Sequence, residues 1–194
     1  MADLKPTPIF DTLEHLRDKP PSFKILPAHT KKDYPLGLDF LKQYDGSKAT
    51  FESYRREIER VMQWSSFKAN KSLLTFKRAD IEAYIAFCMN PPIAWIATKR
   101  VARFKDKEGL RVINPDWRPF VVSVSKMEHK RGIKPDKNNY QLSQKAIQEI
   151  FTVLSSFYQY LLLEEHLTVN PIALIRQKSK YIRKHQTKAI VPRL

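Results

Sequence analysis

A single cysteine, Cys88, stands in a chain of 194 residues. One thiol cannot build a disulfide framework, nor can it supply a zinc site of the Cys type. Glycine is nearly as scarce, with 4 residues against 13 prolines. That argues against Gly-rich phosphate loops and dinucleotide-binding turns. No two of His15, His29, His129, His166 and His185 stand at metal-ligand spacing, so no metal is expected. No apolar run approaches the roughly 18 residues that a membrane-spanning helix needs. The N-terminus, Met1 to Pro6, lacks the basic-then-apolar layout of a secretory signal. There is no nucleophile elbow and no P-loop. Cys88 lies between Phe87 and Met89 on an apolar helix side and reads as a core residue, not a nucleophile. Glu164 and Glu165 are adjacent at a helix end and point in different directions, which suits a solvated end better than an acid–base pair. No catalytic residue, cofactor or small-molecule substrate is therefore expected.

What the chain has is apolar content and positive charge. It is 42% hydrophobic and 11% aromatic, enough for a real core and too much for disorder along its length. It carries 35 Lys and Arg against 20 Asp and Glu, for a net charge of +15. The excess is concentrated: residues 91–140 hold 12 basic and 5 acidic side chains, and residues 176–194 hold 7 basic and none acidic. Residues 141–175 hold 1 basic and 3 acidic. Two basic clusters flanking a nearly neutral core point to a polyanionic partner in an intracellular, soluble protein.

The spacing of apolar residues predicts helices. Residues 1–35 are rich in proline (Pro6, Pro8, Pro20, Pro21, Pro27, Pro35) and read as a leader that packs loosely or wraps a neighbour, with no long helix. A short helix is predicted from Leu36 to Tyr44. A long one follows, capped by Ser47 or Thr50 and running to about Phe67, with Phe51, Tyr54, Ile58, Val61 and Met62 inward and Arg55, Arg56, Glu59, Arg60 and Gln63 to the sides or outside. A third helix runs from near Lys77 to Met89, ended by Asn90-Pro91. Residues 91–140 form a long insert, read as largely irregular, with one helix between Ile93 and Phe104 and a short extended stretch at Val121–Val124. Ser143 caps the central helix, whose stripe runs Ile147, Ile150, Phe151, Leu154, Phe157, Tyr158, Leu161 and Leu162 to about His166. Asn170-Pro171 announces a last helix leading into the basic tail. The fold class read from this is all-α, a bundle of four to five helices over residues 36–175.

Helix starts offer free N–H groups and a positive dipole end to phosphate. Lys48, Thr50, Ser53, Arg55 and Arg56 cluster near one such start, and Ser143, Gln144, Lys145 and Gln148 near another. Lys178, Lys180, Arg183 and Lys184 lie in the tail with no acid to neutralise them. These residues are the candidate contacts to duplex DNA. Surface pairing with Glu52, Glu57 and Glu59 is the alternative for the first cluster.

The ordered series resembles the N-terminal core-binding region of a phage-type integrase, a tyrosine recombinase. The residues that carry it are Thr50-Phe51-Glu52-Ser53-Tyr54-Arg55-Arg56-Glu57-Ile58-Glu59-Arg60 with Trp64; Asp80-Ile81-Glu82-Ala83-Tyr84 with Phe87 and Asn90-Pro91; Trp117-Arg118-Pro119-Phe120; Leu142-Ser143; Leu154-Ser155-Ser156-Phe157-Tyr158-Gln159-Tyr160-Leu161; and Asn170-Pro171. The resemblance implies a SAM-like helical bundle that clamps a core half-site of DNA, with the helices beginning near Thr50 and at Ser143 facing the major groove. It implies a linker over Arg176 to Lys188, other recombinase protomers as partners on DNA, and a cytoplasmic, nucleoid-associated place in a bacterium or phage-infected cell. The family's arginines, His-x-x-Arg box and nucleophilic tyrosine belong to a catalytic domain that this series does not include, so none of the 8 tyrosines takes that role. Two other readings compete. One is a helical protein–protein adaptor anchored by Trp95, Trp117 and Phe120. The other is an RNA-binding domain, which needs exposed aromatics among basic residues.

Overall fold

The computed structural model describes residues 5–16, 26–175 and 181. Five helices and four short strands make up the described chain: α1 (Ala28–Lys42), α2 (Lys48–Trp64), α3 (Arg78–Met89), β1 (Ile96–Ala97), β2 (Phe104–Lys107), β3 (Leu110–Ile113), β4 (Phe120–Val121), α4 (Lys126–Lys130) and α5 (Gln144–Leu163). The expectation of an all-α bundle is therefore wrong: the helices form the core, and the insert adds two small sheets to it.

The helical centre follows from apolar stripes. On α5, Ile147, Ile150, Phe151, Leu154, Phe157, Tyr158 and Leu161 are all buried. Its start is fixed by Ser143, whose Oγ accepts from the Ala146 N–H at 3.1 Å. Phe40 of α1 packs edge-on to Phe157 of α5 at 5.1 Å and stacks on Tyr54 of α2 at 5.9 Å, so three helices meet around one ring. Gly37 permits the close approach of α1. A Cβ there would stand 3.1 Å from Phe10 and 3.3 Å from Ile58 and Met62.

Helix α1 reaches back to Ala28 and carries Pro35 inside it, so the expected boundary after residue 35 falls within a helix. Pro35 lies on the exposed side. There the missing N–H and the ring clash are least costly, since the helix can bend toward water. The segment before α1 is also not a loose leader. Ile9 and Phe10 are core residues, and Phe10 stacks on Tyr34 at 5.0 Å. Sequence periodicity does not register two apolar residues between prolines, yet burial of Phe and Ile side chains is worth about 1.5–3 kcal/mol each.

The insert is irregular over 114–119 and 131–136, as read, but regular at 104–113, where irregular chain was expected. Ile93–Trp95 forms one 3-10 turn in place of a helix, and β1 follows. β1 pairs in parallel with β4, Ile96 opposite Phe120 and Ala97 opposite Val121. Between them β2 and β3 form an antiparallel hairpin, with Phe104 opposite Ile113 and Lys107 opposite Leu110. Glu108 (φ 52°) and Gly109 (φ 76°) both take left-handed backbone, the geometry of a two-residue hairpin turn. Glutamate at the first of these positions hid the turn from sequence reading, because Asn or Asp is the usual signal. After α5, residues 171–174 form a turn rather than the expected helix, with Asn170 Oδ1 accepting from the Ile172 N–H at 2.9 Å.

Candidate nucleic-acid interface

Helices α2 and α5 start side by side. Ser53 is the sixth residue of α2, and Glu149 is the sixth of α5. The Ser53 hydroxyl donates to Glu149, and the Arg56 guanidinium meets the same carboxylate at 2.7 Å. Contact at equal depth brings the first turns of the two helices next to each other. The two starts singled out from sequence are thus brought together.

They open on a cleft of about 520 Å³. One wall is α2, with Arg55, Arg56 and Arg60. The opposite wall comes from the insert, with Lys99, Arg100 and Arg103 before β2 and Arg118 before β4. The start of α5 closes the end through Ser143 and Glu149. Seven cationic side chains thus face three carboxylates, Glu52, Glu57 and Glu149. The insert residues were not among the candidates. Their signal was the run Lys99-Arg100-Val101-Ala102-Arg103, and its place beside α2 depends on long-range packing.

Several of the seven cations are structural. The Arg60 Nε and Nη2 atoms donate to the Pro119 carbonyl at 2.9 and 2.8 Å, and its guanidinium lies over the Phe120 ring at 4.7 Å. Burial works against that charge, but Glu57 at 3.0 Å more than offsets it and holds Arg60 protonated. Arg103 donates to Glu59 at 2.9 Å and lies over Trp117. Arg118 donates to the carbonyls of Pro115 and Trp117. The contacts of Arg60 and Arg103 hold the insert against α2, while those of Arg118 stay within the insert.

Arg55, expected on the surface, is 6% exposed and forms the floor. Its Nη1 donates to the Asp11 carbonyl at 2.6 Å, while its Nε has no hydrogen-bond partner. Burial, with the like charge of Arg103, lowers its pKa to about 10, so it stays protonated at neutral pH. It contributes field rather than a direct surface contact. Arg56 is held between Glu57 and Glu149. Ser53 is spent on Glu149, so neither is free in the sense expected. Thr50 is half-buried and its hydroxyl pairs with Ser47 at 2.9 Å. Lys48, Lys145 and Gln148 are exposed at the helix starts, and Gln144 is half-buried beside them. Lys99 and Arg100 are exposed, and neither side chain has a carboxylate partner among the described residues. Lys178, Lys180, Arg183 and Lys184 lie outside the described residues.

The expected outward face of α2 is also revised. Glu57, Glu59 and Gln63 are buried together with Arg55. Partners come from distant segments: the Glu59 carboxylate accepts from the Ile9 and Phe10 N–H groups at 2.5 and 3.1 Å and from Arg103. Asp11 in turn takes Arg111 of β3 through both oxygens at 2.8 and 2.9 Å.

Trp95, Trp117 and Phe120 are buried, so they are not exposed anchors for a protein partner. No described aromatic residue is exposed, which leaves no stacking platform for single-stranded RNA in the described surface. Among the described residues there is no cluster suited to a metal ion and no helix long and apolar enough to cross a membrane. Compared with models of protein families, with curated proteins and with solved structures, the chain matches none.

Proposed function

We propose that this chain holds duplex DNA, as the DNA-binding part of a phage-type site-specific recombinase acting in integration and recombination. The observation that carries the proposal is the cleft: two helix starts side by side, across from an insert wall that presents Lys99 and Arg100 without carboxylate partners among the described residues. Lys48 and Lys145 extend the positive surface at the helix tips. The phosphate backbone is bound by such groups through counterion release, whatever the sequence. Base contacts would come from side chains on the first turns of α2 and α5. The Trp117-Arg118-Pro119-Phe120 stretch that carries the resemblance forms part of the wall, which gives that motif a physical role. Work on a bacterial or phage chromosome places the protein in the cytoplasm.

The test is the salt dependence of binding to a duplex of about 30 base pairs. The wild-type chain should lose affinity steeply with salt. Lys99→Glu with Arg100→Glu should flatten the slope of log K against log salt by about 2, one unit for each lost phosphate contact. Salt-independent binding, or an unchanged slope in a variant with wild-type circular dichroism, refutes the assignment.

A further inference from the structure

At the end of the molecule where α5 finishes, the polar residues sit against their own helices. Lys77 is the N-cap of α3 and Arg78 its first residue. That puts two cations on the positive end of a helix dipole. Asp80, the carboxylate of that turn, is taken by Lys71 at 2.6 Å. Glu164 caps α5 and Glu165 follows it, placing two anions on the negative end of a second dipole. Glu165 moreover has φ 58°, backbone that favours glycine, with the His166 N–H donating to the Leu161 carbonyl at 2.9 Å to close the helix. None of the four charged side chains makes a salt bridge among the described residues. Lys77 shares its turn with the Asp80 carboxylate, whereas Arg78, Glu164 and Glu165 stand against the local helix dipoles with no such partner among the described residues.

Each charged pair has apolar surface beside it. A groove of about 390 Å³ runs between Phe76–Ala79 and Val169, Pro171 and Leu174. Val169 is 53% exposed, Leu174 48% and Leu163, beside the glutamates, 70%. Among the described residues, three of the eight exposed large hydrophobics fall within 12 positions of one another along the chain, and two of these, Val169 and Leu174, share the groove. Such clustering marks an interaction site, whereas scattered single residues do not.

We propose that this end is a self-association surface, on which Leu163, Glu164 and Glu165 of one copy enter the groove rimmed by Lys77 and Arg78 of a second copy, and reciprocally. The charge pattern selects the occupant. The groove rim is positive, and the segment that would fill it is negative and begins six residues before Val169. A two-fold contact, in which each patch is met by the other, would pair both charged groups at once. The chain's own continuation is a poor occupant, because residues 176–194 hold 7 basic side chains and no acid and would be repelled by the rim. The inference does not depend on DNA binding.

Sedimentation of the full chain without DNA, at rising concentration up to about 1 mM, tests it. The wild type should dimerise reversibly. Lys77→Glu with Arg78→Glu, and separately Glu164→Lys with Glu165→Lys, should each weaken association at least tenfold, since each homodimer would then hold like charges at both contacts. An equimolar mixture of the two variants restores both contacts with opposite charge and should dimerise like the wild type. Circular dichroism of each variant checks folding. A monomeric wild type at every concentration, variants that associate as the wild type does, or a folded mixture that stays monomeric would each overturn the proposal. The first of these outcomes would leave the rim to an acidic partner of another kind.

Discussion

Glu59 is the point through which three separate segments are held, and its removal should be costly. The side chain is 1% exposed in the middle of α2. One oxygen accepts from the N–H groups of Ile9 and Phe10, and the other accepts from Arg103 Nε at 2.9 Å. Glu59→Ala strands two buried N–H groups, each worth about 1–3 kcal/mol when left unsatisfied. Arg103 adds less, because its side chain is 19% exposed and can turn to water. The expected loss is about 3–5 kcal/mol, in the range for breaking a buried pair. In a domain of this size that lowers the melting temperature by roughly 6–20 °C. Glu59→Gln keeps an oxygen for the two amides and should cost about half as much. Urea titration followed by circular dichroism measures the loss, and hydrogen exchange at Ile9 and Phe10 locates it. Adding Arg103→Ala to Glu59→Ala should cost at least about 1 kcal/mol less than the two single effects summed. A cost under about 1 kcal/mol, or unchanged protection of the Ile9 and Phe10 amides, would refute the idea that this carboxylate fastens the N-terminal segment and the insert to α2.

Two further predictions concern titratable groups. Burial alone would raise the Asp11 carboxyl, but the Arg111 guanidinium and the Thr12 N–H bring it below its ordinary value of 3.8. A depressed acid contributes stability that is fully present above pH 3.8 and is lost as pH falls through the folded-state value. The destabilisation caused by Asp11→Ala should therefore be constant near neutrality and shrink below about pH 4, and an effect that grows on acidification contradicts this. Burial pushes the Cys88 thiol up to about 12, so thiolate is essentially absent at neutral pH. A thiol reagent should label the native chain far more slowly than the urea-unfolded chain, and equal rates would show that Cys88 is accessible.

The parts legible in the sequence are those governed by neighbours along the chain. Ser143 with the stripe from Ile147 to Leu161 specifies α5, because capping and a 3.6-residue period are local properties. Asn90-Pro91 ends α3 for a similarly local steric reason. What failed was governed by distant partners. Glu59 and Gln63 are polar and read as lying to the side of α2, whereas Arg103, two backbone N–H groups from residues 9 and 10 and the Thr7 carbonyl let them be buried. The hairpin failed for a subtler reason: Phe104 and Ile113 pair, but the Glu108-Gly109 turn between the strands lacks the usual first residue.

The same division governs the candidate site. Net charge was visible, and so was its concentration in the insert, because both are sums. Which of those charges remains available to a ligand is not a sum. It follows from how many are consumed in closing the structure. Arg60 and Arg103 hold the wall of the cleft through Pro119 and Glu59, while Arg55 ties α2 to Asp11 and Arg118 closes on Pro115 within the insert. The contacts of Arg60 and Arg103 flank the segment between β1 and β2 on which Lys99 and Arg100 are exposed. On the proposed reading such support favours phosphate binding, since ordering a flexible segment on binding costs free energy. The arginines consumed in the structure would then serve the interface indirectly, by fixing the chain on either side of the two exposed cations.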